Sequence, residues 1–267
     1  MPRFSANLGH LFVEFPLIER IGAAARAGFK AIELQQPYEL APSDVKAEID
    51  RHGLTMLNIN SPPGPGGEPG LATAVGRERE FDALFAKALD YVKAIGGTSI
   101  HLLSGIVPPH ERPAAENVVV ANLARAADAA AAKNILLLLE PLNQRDRPDY
   151  FFSRIEHIAD VIAKVGRPNV KIMYDFYHVQ VMQGDVLKRM EQHLPLIGHV
   201  QFAGPPSRTP PQTGELNYPV IFDAIDAMGW TGWVGAEYGP GGPTVDSLSW
   251  GKPYGIGPAG RAAFIQT

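Results

Sequence analysis

The chain contains no cysteine. Disulfides, thiolate metal sites and cysteine nucleophiles are therefore excluded, and the absence suits a reducing compartment. Long apolar runs are missing too: each is broken by charge or is too short to span a bilayer. The N-terminal stretch MPRFSANLGHLFVEF lacks the basic segment followed by an apolar core that marks a signal peptide. Positive charge is in short supply, since 24 Lys and Arg against 28 Asp and Glu leave a net charge of −4 without a long basic run. That balance offers little to a nucleic-acid backbone. No Gly-x-Gly-x-x-Gly follows the first apolar segment, which argues against a dinucleotide fold. The expectation is a cytoplasmic protein acting on a small molecule, with no membrane or nucleic-acid partner. Whether like chains form a homo-oligomer is left open.

What is present is alternation. Short β-type runs at 3–8, 31–34, 54–60, 99–103, 135–140, 170–175, 197–203 and 233–238 alternate with helical runs. The helical runs cover about 16–27, a segment beginning at Ser43 as N-cap, 77–95, 114–133, 153–165, 186–193 and 219–228. The 27 Gly and 24 Pro cluster between these segments as punctuation, most densely in the loop 61–76. Alternation of this kind implies parallel strands joined by crossover helices. Eight units in 267 residues, 45% of them hydrophobic, predict one (β/α)8 barrel spanning 1–267 rather than an open doubly wound sheet. An extended loop in such a domain reads as a rim segment or lid, so 61–76 and 204–211 are expected to wall a pocket.

Chemistry in such a barrel gathers at the C-terminal ends of the strands. The fifth strand ends in Glu140, the sixth in Asp175 with His178 beyond it, the seventh carries His199 and Gln201, and the eighth ends in Glu237. Taken singly, a Glu there reads as a solvated loop residue, Asp175 as a helix cap, and His199 as facing a helix. Taken together, four consecutive strands deliver oxygen donors to one rim. Three carboxylates and an amide suit Mg²⁺ or Mn²⁺ and suit structural zinc poorly. Without a cation the carboxylates would raise one another's pKa values. Glu140 and Glu237, on the fifth and eighth strands, could also move a proton between adjacent carbons from two sides of a chelated hydroxy-carbonyl compound. That is aldose–ketose isomerisation without a redox cofactor.

The segments RFSANLGHLFVEFPLIERIGAAARAGFKAIELQQPY, GREREFDALFAKALDYVKAIGGTSIHLLSG, LLEPLNQRDRPDYFF, YDFYHVQVMQGD, IGHVQFAGPPSR and GELNYPVIFDAIDAMGWTGWVGAEYGP together cover much of the chain. They resemble the hydroxypyruvate isomerase family within the xylose isomerase-like barrel superfamily. The resemblance implies conversion of hydroxypyruvate to tartronate semialdehyde, or a close relative of that reaction, through an enediolate. It implies that Glu140, Asp175, Gln201 and Glu237 ligate Mg²⁺ or Mn²⁺, that Glu140 and Glu237 are also the catalytic pair, and that His178 and Arg208 bind substrate oxygens. The sequence departs from the family where relatives read Pro-Gly-Arg-His-Glu-Pro, having PPSRTPP at 205–211, and at Gln35 and Gln36 where relatives are more apolar. Both departures sit next to the substrate, so the chemistry is expected to hold more firmly than the substrate. The alternatives are a 2-oxo-tetronate isomerase, a ketose 3-epimerase, which typically has His where Gln201 stands, and a non-catalytic sugar-binding barrel. The superfamily's abasic-site nucleases call for a basic groove that this composition does not offer.

Overall fold

In the computed structural model, which describes residues 1–257, eight parallel strands close into a barrel in sequence order. The strands are β1 (Arg3–Asn7), β2 (Ala31–Leu34), β3 (Thr55–Asn60), β4 (Ser99–His101), β5 (Leu136–Leu139), β6 (Val170–Asp175), β7 (Ile197–Phe202) and β8 (Trp233–Ala236). Between and after them run α1 (Leu17–Arg26), α2 (Pro42–Arg51), α3 (Glu78–Ala94), α4 (Arg112–Ala131), α5 (Ile155–Val165), α6 (Phe176–Met182), α7 (Val186–His193) and α8 (Tyr218–Ala227). The expected (β/α)8 barrel is what the chain forms. The last ten residues of the expected 1–267 domain lie outside the described residues. No helix among the described residues is long and apolar enough to cross a membrane.

Local chemistry accounts for these elements. A strand covered on both faces needs apolar side chains on both, and β5 is Leu-Leu-Leu-Leu. In α5, Ile155, Ile158, Val161, Ile162 and Val165 recur at helical spacing and are buried against the barrel, and Gly166 ends the helix in the left-handed conformation. Two boundaries differ from expectation. Ser43 does not cap α2: Pro42 begins the helix, where its fixed φ fits and its missing N–H costs nothing, and Ala41 stands in the cap position. After β6 the chain enters α6 at once, a seven-residue helix too short to show a periodic signal. Asp175 caps it, its Oδ1 accepting from the Tyr177 N–H at 2.8 Å.

The barrel interior is unusually polar. TIM barrels normally fill their interior with branched aliphatic side chains. Here Ser5 and Asn7 of β1, Glu33 of β2, Asn58 of β3, Ser99 and His101 of β4, and His199 and Gln201 of β7 are all buried. They alternate along their strands, as the period of two requires for residues on one face. Polar groups in such a place need partners, and the partners define the site.

Candidate active site

Parallel pairing sets neighbours across the rim. Asp175 of β6 is in register with Gln201 of β7, and Gln201 with Gly235 of β8. Glu140 and Glu237 each follow immediately after a strand end, so both side chains emerge at the same rim. A cavity of about 380 Å³ opens there, and its lining includes Glu140, His178, Arg208 and Glu237. Pro69 from the 61–76 loop and Arg208 from the 204–211 loop also line it, as expected of walls.

Four oxygens in this region are buried and accept no hydrogen bond: Glu140 Oε1, Asp175 Oδ2, Gln201 Oε1 and Glu237 Oε2. Buried acceptors are normally paired, because leaving one bare costs about 1–3 kcal/mol. Each of these residues has its other polar atoms engaged or near a donor. Asp175 Oδ1 caps α6. The Gln201 amide nitrogen donates to Glu33 Oε2 at 2.8 Å. Glu237 Oε1 accepts from Gln35 Nε2 at 2.6 Å and from Asn7 Nδ2 at 3.1 Å. Glu140 Oε2 stands 3.6 Å from His101 Nε2. The bare oxygens belong to three carboxylates and one amide carbonyl, a donor set that fits a hard divalent cation.

Electrostatics agree with that fit. Burial, then repulsion from Glu237 and Asp175, pushes the Glu140 carboxyl well above the usual carboxylate range. Burial raises Asp175 to about 7, with Arg208 opposing and Glu237 adding to the shift. A divalent cation would relieve both. The Arg208 guanidinium supplies part of that charge: Nη2 lies 3.0 Å from Glu237 Oε2 and 3.7 Å from Asp175 Oδ2. Arg208 also donates from Nε to the Glu237 carbonyl at 3.2 Å and lies over the Tyr177 ring at 5.3 Å. Its backbone is left-handed, with φ of 55°, in a loop pinned by the paired backbones of Gly204 and Thr209.

Glu140, Asp175 and His178 bring donor atoms within 4.8 Å of one another. His178 differs in kind from the other two. Its Nδ1 accepts from the Asn143 backbone N–H at 3.1 Å, and burial, with Arg208 nearby, holds its pKa well below the ordinary value. The ring is therefore neutral with its proton on Nε2. That N–H faces Glu140 Oε1 at 3.8 Å and Asp175 Oδ2 at 3.7 Å, too far to bond either. It offers a donor to a ligand oxygen rather than a lone pair to a metal.

The structure adds residues that the strand-end argument passed over. His101, Asn60, Gln35 and Gln36 line the cavity, as does His10, whose Nε2 is 3.7 Å from Glu237 Oε1. His199 does not face a helix. It points into the barrel, with Nε2 3.0 Å from Glu33 Oε1. Glu33 is fully buried beneath the rim. Burial would raise its pKa, but the His199 ring and hydrogen bonds from Ser5 and Gln201 hold it at about 2. The available signal was the alternation of polar residues in otherwise apolar strands, as in Ser5-x-Asn7 and His199-x-Gln201.

A model of the xylose isomerase-like TIM barrel family matches residues 21–254. The 2-oxo-tetronate isomerase of Cupriavidus necator is 42% identical over 257 residues, 95% of this chain and 99% of that protein. The hydroxypyruvate isomerase of Escherichia coli is 38% identical over 257 residues, 95% of this chain and all of that one. A solved structure described as an AP endonuclease, family 2, from Brucella melitensis superposes with a TM-score of 0.93 at 41% identity, covering 95% of this chain and 99% of the other.

Proposed function

The chain belongs to the xylose isomerase-like TIM barrel family, alongside hydroxypyruvate and 2-oxo-tetronate isomerases, and from that premise we propose that it is a divalent-cation-dependent isomerase of small hydroxy-keto acids. The aldose–ketose class of reaction follows from those relatives. The observation that carries the finer reading is the set of four buried oxygens on Glu140, Asp175, Gln201 and Glu237 that accept no hydrogen bond, with Arg208 the cation beside two of them. These residues would hold Mg²⁺ or Mn²⁺, which supplies polarisation of the substrate carbonyl and charge to hold the developing oxyanions. Glu140 and Glu237 do the proton work. One, ionised, takes the proton from the hydroxyl-bearing carbon; the other, protonated, gives its own proton to the neighbouring carbon, the substrate's hydroxyl proton moves to the former carbonyl oxygen, and exchange with solvent resets the pair. The His178 Nε2–H and the Arg208 guanidinium bind substrate oxygens and orient the chain.

Charge at the pocket mouth favours an acid over a neutral sugar. Arg208 is committed to Glu237 and Asp175, and burial, with His199 adding to it, holds His101 neutral with a pKa of about 4. Arg147 lines the same cavity, is exposed, and forms no ion pair among the described residues. Beside Asp146 at the same cavity, its guanidinium is free to meet a substrate carboxylate. An abasic-site nuclease, the activity in the Brucella structure's description, would instead need positive charge along a DNA path, which a net charge of −4 does not favour.

The test is turnover followed by NMR with added Mg²⁺ or Mn²⁺, using hydroxypyruvate, 2-oxo-tetronate and a neutral C6 ketose, with abasic duplex DNA as a control. Isomerisation of one or both acids, stopped by a chelator and restored by the cation, is expected. Absence of any keto-acid turnover, or turnover unchanged by the chelator, would contradict the proposal.

A further inference from the structure

Glu33 touches none of the cavity's open space, yet every group around it belongs to the site or to the strands beneath it. Its Oε1 accepts from Ser5 Oγ at 2.6 Å and stands 3.0 Å from His199 Nε2. Its Oε2 accepts from Gln201 Nε2 at 2.8 Å and, at 3.4 Å, from Asn7 Nδ2, the same amide that donates to Glu237. The barrel is shaped around this carboxylate. A Cβ at position 235 would lie 2.2 Å from Glu33 Oε1, so only glycine fits on the facing strand.

An ionised carboxylate has acceptors only, whereas a primary amide has one donor end and one acceptor end. Whichever end of Gln201 faces Glu33 must be the NH₂ end. The carbonyl oxygen is thereby turned the other way, where it is buried and bare. We infer that Glu33 is a positioning residue that fixes the Gln201 amide so that its oxygen, not its nitrogen, is presented to the cation. The inference rests on the cation reading of the rim. It goes beyond that reading in assigning a role to a residue that touches neither cation nor substrate. Outer partners of this kind orient metal ligands, and their loss typically costs about 10–100-fold in affinity.

The test is Mn²⁺ affinity of the substrate-free protein, read from free Mn²⁺ by electron paramagnetic resonance, with circular dichroism and thermal melts to confirm folding. In Glu33→Gln the new amide accommodates either end of Gln201, and Mn²⁺ affinity should fall about 10–100-fold. Glu33→Asp keeps the charge but withdraws it from Gln201, and should also weaken binding. A purely electrostatic role would leave this variant like the parent. The double variant Glu33→Gln, Gln201→Glu reverses donor and acceptor while conserving total charge. The residue 33 amide would donate to one carboxylate oxygen of residue 201 and leave the other for the cation. Its affinity should return to the parental level or above it. Parental affinity in folded Glu33→Gln, parental affinity in Glu33→Asp, or a double variant no better than Glu33→Gln would each overturn the inference. If Glu33→Gln fails to fold, the Asp and double variants decide. A parent that binds no Mn²⁺ overturns the cation reading itself, and this assignment with it.

Discussion

Asp175 carries two duties on two oxygens. Oδ1 starts α6 by accepting from the Tyr177 N–H, and Oδ2 is buried, bare and turned to the rim. A cap and the proposed cation ligand are therefore compatible in one side chain, and substitution can separate them. Asn caps helices about as well as Asp, so Asp175→Asn should keep α6 and the fold. Removing a unit charge from the first ligand shell should still weaken Mn²⁺ binding at least about tenfold. Asp175→Ala should lose both the cation and the cap, the latter worth about 1 kcal/mol. Mn²⁺ titration beside thermal melts checks this. An Asn variant that binds Mn²⁺ as tightly as the parent would remove Asp175 from the ligand set.

At the scale of elements, what was legible had a period. All eight strands were visible as apolar runs, and α1, α3, α5, α7 and α8 stood out by helical spacing between Gly and Pro breaks. The rim residues Glu140, Asp175 and Glu237 were legible because a charge ending a buried strand is conspicuous. What stayed hidden was short or inward-facing. The seven residues of α6 hold too few turns to show amphipathicity. The start of α2 was misread because Ser43 is a good cap by type, while Pro42 already satisfied the geometry of a first turn. Glu33 sits in Ala-Ile-Glu-Leu, where one acid in a four-residue strand gives no direction. Only closure of the barrel shows that it points inward, to Gln201 across the interior. His10 reaches Glu237 from the loop after β1, and loop geometry leaves no periodic trace in sequence; Gln35, expected beside the substrate, does line the cavity and donates to Glu237.

At the scale of the whole molecule, the site stores opposed titrations. Burial keeps His178 well below its ordinary pKa, His101 at about 4, and His10 lowered. It keeps Asp175 up at about 7 and Glu140 higher than any ordinary carboxylate. The unfolded chain has ordinary values, near 4 for carboxylates and about 6.5 for His. Below about pH 6.5 the unfolded chain takes up His protons that the fold refuses, so acid destabilises. The raised carboxylates act in the opposite sense: the stability they contribute at low pH is lost as pH rises through their folded values. Asp175, raised to about 7, loses its contribution as pH rises to and through that value, and above about pH 6.5 the histidine effect has faded. The melting temperature of cation-free protein should therefore fall from about pH 6.5 to about pH 7.5, and saturating Mg²⁺ should flatten the fall by binding the ionised set. A melting temperature independent of pH over that range without cation would contradict the electrostatic account.

The central claim is that, on a cation-held keto acid, one of Glu140 and Glu237 takes a proton from one carbon and the other gives its own to the adjacent carbon. The most direct measurement is isomerisation of hydroxypyruvate or 2-oxo-tetronate in deuterated water by the parent, Glu140→Gln and Glu237→Gln, each loaded with Mg²⁺. Gln keeps the size and a ligand oxygen but cannot carry the proton. Turnover should fall by about 10²-fold or more in each variant, the usual scale of a general base. One variant should still exchange the substrate's carbon-bound proton for deuterium without forming product. Parental rates of isomerisation in both variants would contradict the account.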